Sequence, residues 1–219
     1  MAKYKMGKRE FLMKWKVPVG DKNTIRYCEN EWRRKGDKII SLCKEKNVVV
    51  QAGGNIGIFP YYLAEHFNQV ITFEPIPKNY KCLVENTKNI NNIEPFEYGL
   101  GNNTHSVAVE RESQGNCGAI RLQPLCTGKL AVRALDSLFL VNLDLLWLDV
   151  EGYEVKALLG AKDHIEKFKP VIVLENNGLI HEFPGDLEGS KQLRTWMKET
   201  FNYKLHSRLM RDDVYVYNI

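Results

Sequence analysis

The 219 residues are 44% hydrophobic and 26% charged, ordinary values for a chain that buries a full core. No apolar run approaches the roughly 18–20 residues needed to cross a bilayer, and no apolar stretch follows the basic N-terminus, so neither a membrane span nor a signal peptide is expected and a cytoplasmic location is. The five cysteines, Cys28, Cys43, Cys82, Cys117 and Cys126, show no C-x-x-C spacing, which argues against a disulfide framework or a zinc site and for reduced thiols.

The net charge of +4 is uneven. Residues 1–46 hold fourteen Lys and Arg against six Asp and Glu, and the remainder is acidic. Residues 1–46 therefore read as a basic, solvated N-terminal extension, and 47–219 as one domain. A basic arm can meet an anionic partner, but no nucleic-acid-reading motif accompanies it, and nucleic acid is not the expected partner.

Beyond residue 46, apolar runs alternate with amphipathic stretches. Asn47–Ala52 is a β-branched run ended by glycines, the pattern of a buried strand. Ile58–Phe67 follows at helical spacing, with Pro60 tolerable in the first turn. Val70–Glu74 is a second strand, ended by Pro75 and Pro77. Lys78–Ile90 predicts a helix, and Glu94–Gly99 a third strand. Val107–Glu110 and Lys129–Ala134 are strand-forming pieces around a loop rich in Gly, Asn and Gln. Leu145–Val150 predicts a strand, Val155–Phe168 a helix, Pro170–Glu175 a strand and Leu187–Phe201 a helix. Tyr203–Leu209 and Val214–Tyr217 predict a closing hairpin turned at Arg211-Asp212-Asp213. Strands alternating with helices give an α/β, doubly wound, mostly parallel sheet. The short final turn makes the last pair antiparallel.

Two stretches carry chemistry. The strand ending at Gln51 runs into Gly53-Gly54-Asn55-Ile56-Gly57 and then a helix. Glycines there let the backbone turn sharply and let a ligand approach the main chain, and the helix start offers free N–H groups. Glu74 ends the next strand, where a carboxylate can accept both hydroxyls of a ribose. Ile76 is placed to pack on a purine face, and Leu100 lies at the third strand end, near a base edge. The set points to an adenine-nucleoside cofactor. Ala52-x-Gly54-x-x-Gly57 also reads as a loose dinucleotide fingerprint, so a NAD(P)-dependent oxidoreductase stays open. The second stretch is Asp149-Val150-Glu151-Gly152-Tyr153-Glu154 at another strand end. Asp149 and Glu151 are candidates to orient an acceptor or take its proton, and Glu154 to cap a helix. His181, on the loop after the Val171–Glu175 strand, is a lower-ranked base. The acids could hold a divalent cation, but nothing in their spacing demands one, and no metal is expected.

These motifs resemble the FkbM family of methyltransferases. The resemblance covers most of residues 45–176. It rests on Val48 through Gly57, Phe73-Glu74-Pro75, Asn86 with Asn91, Leu135-Asp136-Ser137, Leu148 through Glu154 with Leu158, Gly160 and Ala161, and Lys169-Pro170 through Leu174-Glu175. It implies a Rossmann-like class I methyltransferase fold of seven strands. It also implies S-adenosylmethionine as cofactor, S-adenosylhomocysteine as product, and O-methylation of a sugar or other small-molecule acceptor. It lends cofactor contacts to Gln51, Gly53, Gly54, Asn55, Gly57 and Glu74, and places Asp149 and Glu151 toward methyl group and acceptor. The family usually carries Asp at the position of Gln51, Ala at Gly54 and Lys at Trp147. The Gln51 carbonyl is expected to meet the cofactor's ammonium without a charge, and Trp147 to alter acceptor choice. With these departures a catalytically weak binding module is a further reading.

Overall fold

The computed structural model describes residues 14–112, 115–124, 127–183, 185 and 187–219. Residues 1–13 of the basic extension and Cys126 lie outside these. The four described cysteines are free. Among the described residues no helix is long and apolar enough to cross a membrane.

In chain order the elements begin with α1 (Thr24–Ile40), β1 (Val48–Ala52), α2 (Ile58–Leu63), β2 (Gln69–Phe73), α3 (Pro77–Thr87) and β3 (Ile93–Phe96). Four strands follow: β4 (Gly99–Leu100), β5 (His105–Glu112), β6 (Ile120–Pro124) and β7 (Leu130–Arg133). The chain closes with β8 (Leu145–Leu148), α4 (Glu154–Leu159), α5 (Lys162–Phe168), β9 (Val171–Glu175), α6 (Glu188–Phe201), β10 (Tyr203–Leu209) and β11 (Asp212–Tyr217).

Seven strands form the main sheet in the order β10-β11-β9-β8-β1-β2-β3. β1, β8 and β9 are buried throughout, which is why they read as unbroken apolar runs rather than alternating ones. All pairings are parallel except those of β11 with β9 and β10. The chain leaves β1 toward β2 and β3, and later leaves β8 toward β9, so the order reverses between β1 and β8. Ligands of open α/β sheets bind outside the strand ends at such a point, and both chemistry-bearing stretches follow these two strands. α4, α5 and α6 pack on one face through Leu158, Ile165, Leu193 and Met197. α1 and α2 pack on the other through Trp32, Ile39, Phe59 and Leu63.

Four departures from the sequence reading have physical causes. First, residues 24–40 of the basic extension form α1, whose apolar face is buried on the sheet. Trp32 stacks on Tyr62 at 5.1 Å and on Trp147 at 6.2 Å, and Lys35 buries its ammonium 2.7 Å from Asp212. The basic count had hidden this apolar stripe. Second, the helix over 155–168 is broken into α4 and α5. A side chain at Gly160 would stand 1.9 Å from the Gly101 carbonyl, and Asp136 caps the second piece by accepting from Asp163 N and His164 N. Third, Gly99–Leu100 leaves the main sheet for a four-stranded one ordered β4-β7-β5-β6, in which β6 occupies part of the expected loop. Fourth, the hairpin turns at Met210, in the left-handed region at φ +60°, and Asp212–Asp213 belong to β11. The ion pair to Lys35 draws Asp212 inward.

Candidate functional site

The turn after β1 is fastened from below. Gly53 N and Gly54 N donate to the Phe73 carbonyl at 3.0 and 2.8 Å. Gly53, at φ +87°, lies so close to the β8 end that a Cβ would sit 1.9 Å from the Asp149 carbonyl oxygen. Only glycine fits that approach. Gly54 packs over the Thr72 hydroxyl and Leu83, and Gly57 opens α2 at φ +94° against Leu83 and Thr87.

Gln51 does not behave as the resemblance implied. It is buried, its Oε1 accepts from the Thr72 hydroxyl at 2.7 Å, and its Nε2 donates to the Gly53 carbonyl at 2.9 Å. Both ends of the amide brace the turn, and neither is directed to a ligand. Trp147 likewise faces α1 and α2, edge-on to Phe59 at 5.2 Å. Its replacement of lysine concerns the docking of a helix.

Glu74 is buried. Its Oε2 accepts from Asn55 N at 2.7 Å and its Oε1 from Ile76 N at 2.9 Å. Burial raises its carboxyl to about 7, with these two hydrogen bonds and others opposing the rise. Beyond it runs an apolar slot walled by Ile76, Leu100, Val132 and Tyr153 from below, and by Ile120 and Leu122 of β6. Asn79 Oδ1 lines this slot and is buried without a hydrogen-bond partner, while its Nδ2 is held by the Cys117 carbonyl at 2.8 Å.

Gly53, Glu74, Gly118, Asp149 and Glu151 wall both this slot and an adjoining cavity of about 500 Å³. Thr24, Tyr27, Cys28 and Glu31 of α1 roof the cavity, and Glu175 and Arg211 close its far side. Asp149 follows β8 and Glu175 ends β9. The register Leu148–Leu174 sets these carboxylates abreast, and Asp212 pairs with Glu175 on the next strand. Burial raises both Asp149 and Glu175, and for Glu175 the Asp149 charge adds to the rise. Glu151 adopts φ +51° on the following turn, a strained backbone for a non-glycine residue. Burial and the Asp149 charge raise its carboxyl to about 7. Glu154 opens α4 and accepts from Val150 N at 3.1 Å and Gly152 N at 3.3 Å, so it braces the preceding turn, and α4 has no side-chain cap.

His181 lies beside this turn, but its Nε2 already accepts from Arg121 Nε at 2.8 Å. Burial and the Arg121 charge lower its pKa. An imidazole whose lone pair is engaged this way is not poised as a base, which corrects the sequence expectation. Sequence reasoning missed the α1 roof, Glu175 and Arg211. Glu175 had a readable signal, since it ends a buried strand next to that of Asp149. The others come from segments with no motif.

Comparison with known proteins places this geometry. Residues 51–205 match the family model described as the methyltransferase FkbM domain. A protein of Beauveria bassiana named Methyltransferase 1 is 25% identical over 160 residues, which cover 59% of this chain and 64% of that one. The crystal structure of an FkbM methyltransferase from Methylobacillus flagellatus KT superposes with a TM-score of 0.55 at 21% identity, over 78% of this chain and 44% of that one. A ribosomal protein L11 methylase from Lactobacillus delbrueckii subsp. bulgaricus gives 0.56 at 10% identity, over 99% and 91%. At such identities the two structures bear on the fold alone. The chain spans less than two thirds of the length of the Beauveria and Methylobacillus proteins.

Proposed function

The chain belongs to the FkbM family of methyltransferases, and on that premise we propose that it uses S-adenosylmethionine to methylate a hydroxyl of a sugar, glycan or other small polar acceptor. The carrying observation is that Asp149 and Glu151 stand where the slot beyond Glu74 opens into the α1-roofed cavity. A donor held on one side thus meets an acceptor held on the other. We take residues 47–219 as the methyltransferase domain and α1 as its roof.

The residues fit the cofactor. Glu74 spends one lone pair of each oxygen on a backbone N–H, which leaves acceptor capacity for two ribose hydroxyls. The unpartnered Asn79 Oδ1 in the apolar slot matches a purine's exocyclic amine, since a buried acceptor left alone is costly. Bound there, S-adenosylmethionine supplies an electrophilic methyl group on a sulfonium. The protein's work is then alignment and water exclusion. Asp149 and Glu151 favour the positive charge of the donor, orient the acceptor hydroxyl and receive its proton. A wall of carboxylates repels a phosphate backbone, which favours an uncharged polyhydroxylated acceptor over nucleic acid.

Two measurements test this. Calorimetry with S-adenosylhomocysteine against NAD separates the methyl donor from the nicotinamide alternative, which would use the same Glu74. Asp149→Asn should keep S-adenosylhomocysteine affinity within a few-fold and cut turnover by roughly 10² or more, the usual scale of a lost general base. Normal turnover in both Asp149→Asn and Glu151→Gln overturns the mechanism. The binding-module reading loses its support, because Gln51 and Trp147, the residues that prompted it, are engaged in the turn and in helix docking.

A further inference from the structure

Asp149, Glu151 and Glu175 each bring a carboxylate oxygen to within 4.8 Å of the other two. They reach this arrangement from separate elements: the ends of two neighbouring strands and a turn of positive φ. A second observation concerns Glu175 alone. Its side chain is 4% exposed and lines the cavity, and its Oε2 has no hydrogen-bond partner. Its other oxygen is 3.4 Å from Arg211, so the nearby guanidinium leaves Oε2 unserved. A buried carboxylate oxygen with no donor is costly, and the cost is removed by a ligand that accepts lone pairs.

The surroundings serve Glu175 only in part, since the neighbour that shares a hydrogen bond with it, Asp149, is itself a carboxylate. The carboxylates of Glu31, Asp149, Glu151, Glu175 and Asp212 act on one another here, and the cationic side chains that act on them are Lys35, Arg211 and, at Glu151, Arg121. Lys35 lies 2.7 Å from Asp212 and 3.1 Å from Glu31, and Arg211 lies 2.8 Å from Glu31. Arg121 is engaged by Glu110 at 3.4 Å and His181 at 2.8 Å, so all three cations are already shared.

We propose that Asp149, Glu151 and Glu175 bind one hard divalent cation, of the Mg²⁺, Mn²⁺ or Ca²⁺ class, on the acceptor side of the cavity. The donor set is all carboxylate oxygen, which suits these ions and disfavours zinc or copper. Three protein ligands leave coordination positions open toward the 500 Å³ cavity, where two neighbouring hydroxyls of an acceptor can chelate. This second part rests on the methyltransferase reading, while cation binding itself does not. Sequence spacing gave no reason to expect the site, because Glu175 joins it only through sheet register.

The test uses the full chain and Mn²⁺ as the probe, followed by its electron paramagnetic resonance signal near pH 7.5 and by calorimetry, with and without S-adenosylhomocysteine. One saturable site is expected, retained when S-adenosylhomocysteine is bound and competed by Mg²⁺ or Ca²⁺. Glu175→Gln should weaken it by about tenfold or more. Glu151→Gln, at the more accessible turn, should do the same and guards against misfolding of the first variant, which thermal melting checks. Glu182→Gln, an acid paired with Lys156 outside the cluster, should leave the affinity unchanged. Absence of saturable binding up to millimolar Mn²⁺, binding in both cluster variants as tight as in the unsubstituted chain, or displacement of Mn²⁺ by S-adenosylhomocysteine overturns the proposal. The last outcome would assign the cluster to the cofactor. Failure of methyl transfer with cation binding intact would instead count against the function and leave the site standing.

Discussion

At the scale of single residues, the site depends on backbone contacts that tolerate no substituent. Gly53 touches the Asp149 carbonyl across the switch point, so the glycine turn and the acid-bearing strand end are mechanically one piece. Gly53→Ala should cost about 3 kcal/mol or more, from strain at positive φ together with a clash against backbone. Urea denaturation reads the change, and a loss under 1 kcal/mol would show that the two segments can part. The residue scale is also where the sequence was both most and least informative. Glu74, Ile76, Leu100, Asp149 and Glu151 all line the site, because strand-end positions follow directly from periodicity and glycine punctuation. Gln51 and His181 were misjudged. Each has the right address, but a hydrogen bond from Thr72 or Arg121 occupies the atom that mattered, and such pairings come from elements distant in sequence.

At the scale of elements, α1 is the main surprise. A basic composition suggested solvation, yet Trp32, Ile39 and Ile40 form a buried stripe and Lys35 is 2% exposed. Lys35 stays charged because Asp212 and Glu31 outweigh the burial penalty. Its ammonium also rests over the Phe59 and Trp147 rings at 5.4 and 5.6 Å. Lys35→Met should destabilise by roughly 3–5 kcal/mol, the usual cost of leaving a buried charge uncompensated. The double variant Lys35→Met, Asp212→Leu should recover much of that loss, since the uncompensated partner is then gone. Chemical denaturation of both checks the pair, and equal losses in the two would remove the ion pair as the cause. The strand and helix pattern from residue 47 onward was legible because period and punctuation agree there. The break at Gly160 and the second sheet were not, since one is forced by the Gly101 backbone and the other by a register that only the fold creates.

At the scale of the whole molecule, the fold concentrates buried acid at one end of the sheet. Glu74 and Glu154 stand at about 7 and about 8, against an ordinary value of 4.5, because burial disfavours their charge. The folded chain thus binds protons that the unfolded chain has released. That contribution is complete below about pH 4.5 and is lost as the pH rises through 7 to 8. At about 1.4 kcal/mol per pK unit, each carboxyl withdraws up to a few kcal/mol by pH 8. Thermal melts without ligand should show the midpoint rising as the pH falls from about 8 to 5.5. A falling midpoint over that interval would mean that these carboxyls are ionised in the folded chain at little cost. Cofactor or cation bound at the acidic end should flatten the dependence.

The roof over the larger cavity comes from α1, while the floor comes from strand ends far along the chain. Glu31 on that roof is joined to Glu175 on the floor through Arg211. If the methyltransferase reading proposed above holds, a hybrid enzyme that joins residues 47–219 to the N-terminal segment of a relative should keep this chain's slot beyond Glu74 and lose part of its acceptor preference. Segment exchange aimed at new acceptors should begin within residues 24–31, upstream of the motifs by which the family is known.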